Sequence, residues 1–154
     1  MTPYDIIINQ QIELGRQHAL DLRSRADAMD GTGIIAEENK IPIFDPKKNY
    51  LSWVVGAPVK ELVDGEFQTF KLIQPYNAAH YTGTPSTLPA LWSICHTKDP
   101  KRAKPYVEPN GISGMYMKDE CYIEEGLVYR CKEDNVVHDS VDRPDVWEKL
   151  ENVK

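Results

Sequence analysis

The sequence has 154 residues, with 24 acidic and 18 basic side chains for a formal charge of −6, and is 41% hydrophobic. That balance is ordinary for one globular domain or two very small ones. The acidic surplus and the lack of an extended Lys/Arg run argue against a phosphate-backbone binder, and no apolar run approaches the roughly 18–20 residues of a membrane helix.

Residues 1–30 read as an amphipathic helix. Ile8, Ile12, Gly15, Ala19, Leu22, Ala26 and Met29 follow a 4-3-4-3-4-3 spacing, an a/d seam sustained for three heptads. Two readings stay open: a helix packed on its own domain, or a self-associating stalk in which Ile8, Ile12, Ala19, Leu22, Ala26 and Met29 make the oligomer contact. Gly15 weakens the middle, and Asp30-Gly31 is expected to stop the helix. Residues 31–49 form a connector broken by Pro42 and Pro46, yet Ile34, Ile35, Ile41, Ile43 and Phe44 make it apolar enough to dock on a neighbour.

An internal repeat organises the remainder. Gly56-Ala-Pro-Val59, Asp64-Gly65, Phe70-Lys-Leu72 and Pro89-Ala-Leu-Trp92 stand beside Lys118-Asp-Glu-Cys121, Glu125-Gly126, Tyr129-Arg-Cys131 and Pro144-Asp-Val-Trp147. Each copy reads as a hairpin with an acidic-Gly turn, a loop, and a short closing strand. The predicted fold is therefore mainly β after an N-terminal helical stalk, with two small three-stranded modules in tandem. The first spans residues 50–95 and the second 114–154, with a linker over 96–113 that holds a small basic cluster expected to be a solvated loop. Units of roughly 45 residues depend on a few large aromatics, so Phe70, Trp92, Tyr129 and Trp147 are the expected core anchors. Trp53 is expected to be buried beside its two valines, with Gly114-Met-Tyr-Met117 as its counterpart, and Cys131 reads as a core thiol.

These residues carry a resemblance. The stretch from Cys121-Tyr-Ile-Glu-Glu-Gly-Leu-Val-Tyr-Arg-Cys131 to Trp147, and that from Phe70 to Trp92, resemble carbohydrate-binding modules of the chitin-binding family 5/12 type. Together the matches cover about two thirds of the chain, each copy of the motif being short. The resemblance extends to prophage-encoded proteins in which a helix precedes such modules. It implies an accessory protein of a phage or phage-like particle, at the tail, fibre or capsid surface, made in the host cytoplasm without a signal peptide.

In that family the exposed aromatic lies in the loop before the closing Trp. Here the loop is Gln74-Pro-Tyr-Asn-Ala-Ala-His-Tyr-Thr-Gly-Thr84, and the resemblance puts Tyr81 at or next to the exposed position. Tyr76 and Tyr81 are the expected stacking platform, with Gln74, Asn77 and His80 for the sugar hydroxyls; the alternative is that the two rings pack the loop or a subunit contact. The second copy has the shorter loop Glu133-Asp-Asn-Val-Val-His-Asp139, with no aromatic, which reads as a spacer or a trimer contact.

Chemistry-bearing residues are scattered. His18, His80, His96 and His138 stand apart, Cys95 and His96 are adjacent in the chain, and Cys95, Cys121 and Cys131 form no CxxC. The expectation is no catalytic site, no metal and no cofactor, with free thiols made in a reducing compartment. Two functions follow. One is multivalent binding of a host-surface or environmental polysaccharide; the other is a purely structural virion role with no glycan bound. The expected partners are other virion proteins and further copies of the chain, with a trimer favoured by family analogy.

Overall fold

The computed structural model describes residues 2–109, 113–151 and 153, and Asp27 by its backbone alone. Residues 110–112 of the expected linker, and Met1, Asn152 and Lys154 at the ends of the outer ranges, lie outside the described residues.

The chain opens with helix α1, Pro3–Arg25. Thr2 and Asp5 cap it reciprocally: the Asp5 amide donates to Thr2 Oγ1 at 3.1 Å, and the Thr2 amide donates to Asp5 Oδ2 at 3.0 Å. Arg23 and Arg25 place positive charge at the helix C-terminus. The helix ends before Asp30-Gly31, through a short 3₁₀ turn over Ala26–Ala28. Asp30 instead starts helix α2, Gly31–Ala36, by accepting the Gly33 amide at 2.9 Å, so the expected stop signal is an N-cap.

The seam divides along α1. Leu22 and Ala26 are fully buried against Ile34, Ile35, Ile41 and Cys95, with Met29 packed on the same cluster. Their assignment to an oligomer contact is corrected: the connector supplies their partners from within the chain. Ile8 and Ala19 are half-buried, and Ile12 keeps 65% of its surface exposed.

The first sheet is antiparallel in the order β1 (Pro58–Val63), β2 (Glu66–Leu72), β3 (Trp92–Ile94). Asp64 and Gly65 close its hairpin with both φ angles positive, 51° and 87°, the two-residue turn whose twist matches that of the strands. Phe44, Tyr50, Trp53, Val59, Phe70, Leu72, Tyr76 and Trp92 form its core. The connector docks as expected, with Phe44 in this core and Ile43 bridged to Lys60.

The second sheet has four strands rather than three: β4 (Lys104–Pro105), β5 (Cys121–Glu124), β6 (Leu127–Cys131) and β7 (Trp147–Leu150). The extra strand comes from the expected linker, which pairs Lys104 and Pro105 in parallel with Tyr122 and Ile123. The same segment ties the modules together. The Cys121 amide donates to Thr97 O at 2.8 Å, Gln68 Nε2 donates to Pro105 O at 3.1 Å, and Lys104 meets Glu38 at 2.7 Å.

The repeat reproduces its hydrogen bonds. Leu72 pairs with Trp92 as Cys131 pairs with Trp147, and Val59 faces Phe70 as Tyr122 faces Tyr129. The Gly56 amide reaches Leu72 O at 2.8 Å as the Asp119 amide reaches Cys131 O at 2.8 Å. Glu125-Gly126 turns with φ of 52° and 77°. This register sets Val59 against Tyr122, one residue from the expected Cys121. It also sets Tyr50 against Tyr116, because their amides donate to Tyr76 O and Val136 O respectively. Phe70, Trp92 and Trp147 are the buried anchors expected, whereas Tyr129 is half-buried and stacks on the deeper Tyr122 at 5.1 Å.

Candidate functional site

The loop from residue 73 to 91, between β2 and β3, carries the expected sugar contacts, and the structure separates them. Tyr76 is 4% exposed. Its ring lies 6.1 Å from Tyr50 and 6.1 Å from Trp92, and its hydroxyl accepts the Trp92 indole N–H at 2.8 Å. Burial pushes its phenol above the ordinary range. Tyr76 is thus a core residue, and its place in a stacking platform is corrected: a sugar cannot reach a ring enclosed by Tyr50 and Trp92.

Asn77 is half-buried and uses its Oδ1 to accept the Ala79 amide at 3.1 Å, capping the 3₁₀ turn Ala78–His80. That turn delivers Tyr81 to the surface. Tyr81 is 53% exposed and stands edge-on to Tyr76, with ring centroids 5.1 Å apart at 89°. Its back edge therefore rests on a rigid core ring while the remainder faces water. Gln74 and His80 are exposed on the same loop. The two-ring platform becomes one exposed ring braced by a buried one.

In the second module Val136 takes the place of Tyr76, and the Trp147 indole donates to His138 O at 2.8 Å instead. Asp139 Oδ1 accepts the Val141 and Asp142 amides, which fixes the rest of the loop. Residues 133–139 present no Tyr, Trp or Phe ring.

Sequence reasoning missed a second feature at the first module. Trp53 is buried as expected, but the Arg23 guanidinium of α1 covers it at 4.2 Å from the ring centroid, and the Lys48 ammonium lies 5.1 Å from it. Arg23 and Trp53 are too far apart in the chain for spacing to reveal the contact.

Cys95 and His96 point to different neighbourhoods. Cys95 lies in the core beneath α1, and burial pushes its thiol up to about 12, far from a thiolate nucleophile at neutral pH. His96 stacks on Tyr116 at 3.7 Å and donates from Nε2 to Gly114 O at 2.8 Å. Among the described residues there is no cluster of three or more metal-ligating side chains.

His96 gives the fold a pH dependence. Burial lowers its pKa from 6.5 to about 4, so on acidification the unfolded chain takes up the proton first. The His96 contribution to stability is complete above pH 6.5, falls by about 3 kcal/mol as the pH drops towards 4, and levels off below. Ring NMR titration is expected to show a neutral His96 down to about pH 4. A midpoint near 6.5 would contradict its burial.

The chain matches no known family model, and no curated protein is similar to it. Among the described residues no helix is long and apolar enough to cross a membrane.

Proposed function

We propose that this chain is a non-enzymatic accessory protein of a phage or phage-like particle that holds a glycan on the first β module. The observation that carries the reading is Tyr81, a half-exposed ring fixed edge-on against a core ring. A pyranose stacks its C–H face on such a ring, and the exposed Gln74 and His80 side chains offer partners for hydroxyls. One ring binds weakly, so the affinity comes from several modules acting at once. The outer part of α1 supplies the multivalency, with Ile8 and Ile12 carrying the seam beyond the part that packs in the chain.

Calorimetry with a hexamer of N-acetylglucosamine tests the site. Tyr81→Ala is expected to weaken binding about tenfold and Tyr81→Phe to preserve it. Equal affinity of Tyr81→Ala and the parent removes the assignment. Light scattering tests the assembly. The full chain is expected to be an oligomer at micromolar concentration, and removal of residues 1–14 to give monomers with the Leu22–Ala26 core intact.

The second reading is a purely structural particle protein. The burial of Tyr76 and the lack of a Tyr, Trp or Phe in the second module's loop favour it. It predicts the same oligomer with no glycan bound.

A further inference from the structure

The two modules differ at one sheet face. In the first, the connection over residues 73–91 covers that face with its own chain. Pro85, Ser86 and Pro89 wall a cavity together with Gln68 and Phe70 of β2, and Leu88 and Leu91 of the same segment pack on the core. Glu61 of β1 holds the segment in place. One of its carboxylate oxygens accepts the Ser86 amide at 3.0 Å and the other accepts the Ser86 hydroxyl at 2.7 Å. Under this cover Gln68 is 2% and Phe70 4% exposed.

The second module repeats the positions without the cover. Along the ladders from Val59 and Tyr122, Glu124 stands at the place of Glu61, Leu127 at that of Gln68, and Tyr129 at that of Phe70. The matching connection, 132–146, is four residues shorter. Here Leu127 is 38% exposed, Tyr129 is half-buried and Glu124 is exposed. Tyr122, in the place of Val59, fills the core beneath and stacks on Tyr129 at 5.1 Å, so the sheet stays packed with this face uncovered. Glu124 and Leu127 are a direct cross-strand pair, as are Tyr122 and Tyr129, which puts the four on one face. Lys149 stands where the first module has Ile94, which makes the β7 side polar and confines the apolar strip to β6.

We propose that Glu124, Leu127 and Tyr129 form a docking face for an extended, proline-containing segment of another protein, of the kind the first module supplies to itself. Proline followed by Ser or Thr is the matching chemistry. The pyrrolidine ring lies on Tyr129 and Leu127, and the next residue gives its amide and hydroxyl to Glu124 as Ser86 gives them to Glu61. A segment stiffened by proline also loses less conformational freedom on docking. The face lies on the other module from Tyr81 and does not depend on the glycan reading.

The test uses the full chain and an end-capped peptide with the sequence of residues 84–91, Thr-Pro-Ser-Thr-Leu-Pro-Ala-Leu, read by backbone NMR of the isotope-labelled protein. Saturable shift changes are expected at residues 122–130 and 147–150, with a Kd on the order of 1 mM or below. Tyr129→Ala is expected to weaken binding about tenfold and Glu124→Gln about threefold. Glu124 is exposed, so its variant keeps the test valid if Tyr129→Ala loosens the sheet. A peptide with Ala in place of both prolines is expected to bind about fivefold more weakly. No saturable change up to about 5 mM peptide, or changes confined to the first module, overturns the proposal. Affinity indifferent to both Tyr129→Ala and Glu124→Gln also overturns it. Shifts at residues 122–130 with the neutral N-acetylglucosamine hexamer and none with the peptide make the face a sugar platform, which overturns it as well. The two sites are read with different probes, so failure of peptide docking leaves the Tyr81 reading standing, and failure of glycan binding leaves this face standing.

Discussion

Trp92→Ala is expected to lower the unfolding free energy by about 4 kcal/mol, measured by urea denaturation followed by circular dichroism. Trp92 is 1% exposed and makes edge contacts with Phe44, Tyr50 and Tyr76 at 5.5–6.1 Å. Its removal opens a cavity in a core built from few residues, which a short three-stranded sheet cannot close by collapse. It also leaves the buried Tyr76 hydroxyl without its indole donor. Against a typical total of about 5–15 kcal/mol, that loss removes much of the stability. Trp92→Phe separates the two causes: most of the volume stays and the hydrogen bond goes, so a loss of about 2 kcal/mol is expected. A Trp92→Ala loss under about 1 kcal/mol would show that the first module does not depend on this ring.

Gly31→Ala comes next, with an expected loss of about 3 kcal/mol. An added Cβ would collide with His96 O and meet His96 N at 3.0 Å, both backbone atoms. Neither can swing aside as a side chain would. His96 is held by its stack on Tyr116 and its bond to Gly114 O, so the strain spreads into the second module. Gly15→Ala is the control of opposite sign. It lies within α1 with nothing within 4 Å of the new Cβ, and a gain of about 0.5–1 kcal/mol is expected. Equal effects of the two substitutions would contradict the close approach of α2 to residue 96.

The elements that were legible in sequence are those fixed by local chemistry. Asp64-Gly65 and Glu125-Gly126 announce two-residue turns because few other pairs accept two positive φ angles. Two Pro-x-x-Trp closes mark the third strands because small cores require a large ring. Cys121 sits one residue from the Val59 position because short motifs do not encode ladder pairing; the correspondence lies in the Gly56 and Asp119 amides, which reach Leu72 O and Cys131 O and share a positive φ. Heptad spacing identified one stripe on α1, but a stripe does not declare its partner. The apolar connector takes Leu22 and Ala26 through Ile34, Ile35 and Ile41 and then turns to seat Phe44 in the first module, leaving Ile12 exposed.

The site was legible only in outline. Tyr76 and Tyr81 sit in one loop with similar neighbours, and their difference depends on which of them faces Tyr50 and Trp92 across the fold. Arg23 gave no sign of a role, since its ring partner lies beyond both the helix end and the connector. Such long-range pairings are set by tertiary packing rather than by any local pattern.

The central claim is that a glycan lies on the first module at Tyr81. Backbone NMR titration of the isotope-labelled chain with the N-acetylglucosamine hexamer tests it most directly. The predicted result is shift changes concentrated at residues 74–81 and absent from 133–139. Changes confined to the second module, or none at saturating probe, would contradict it.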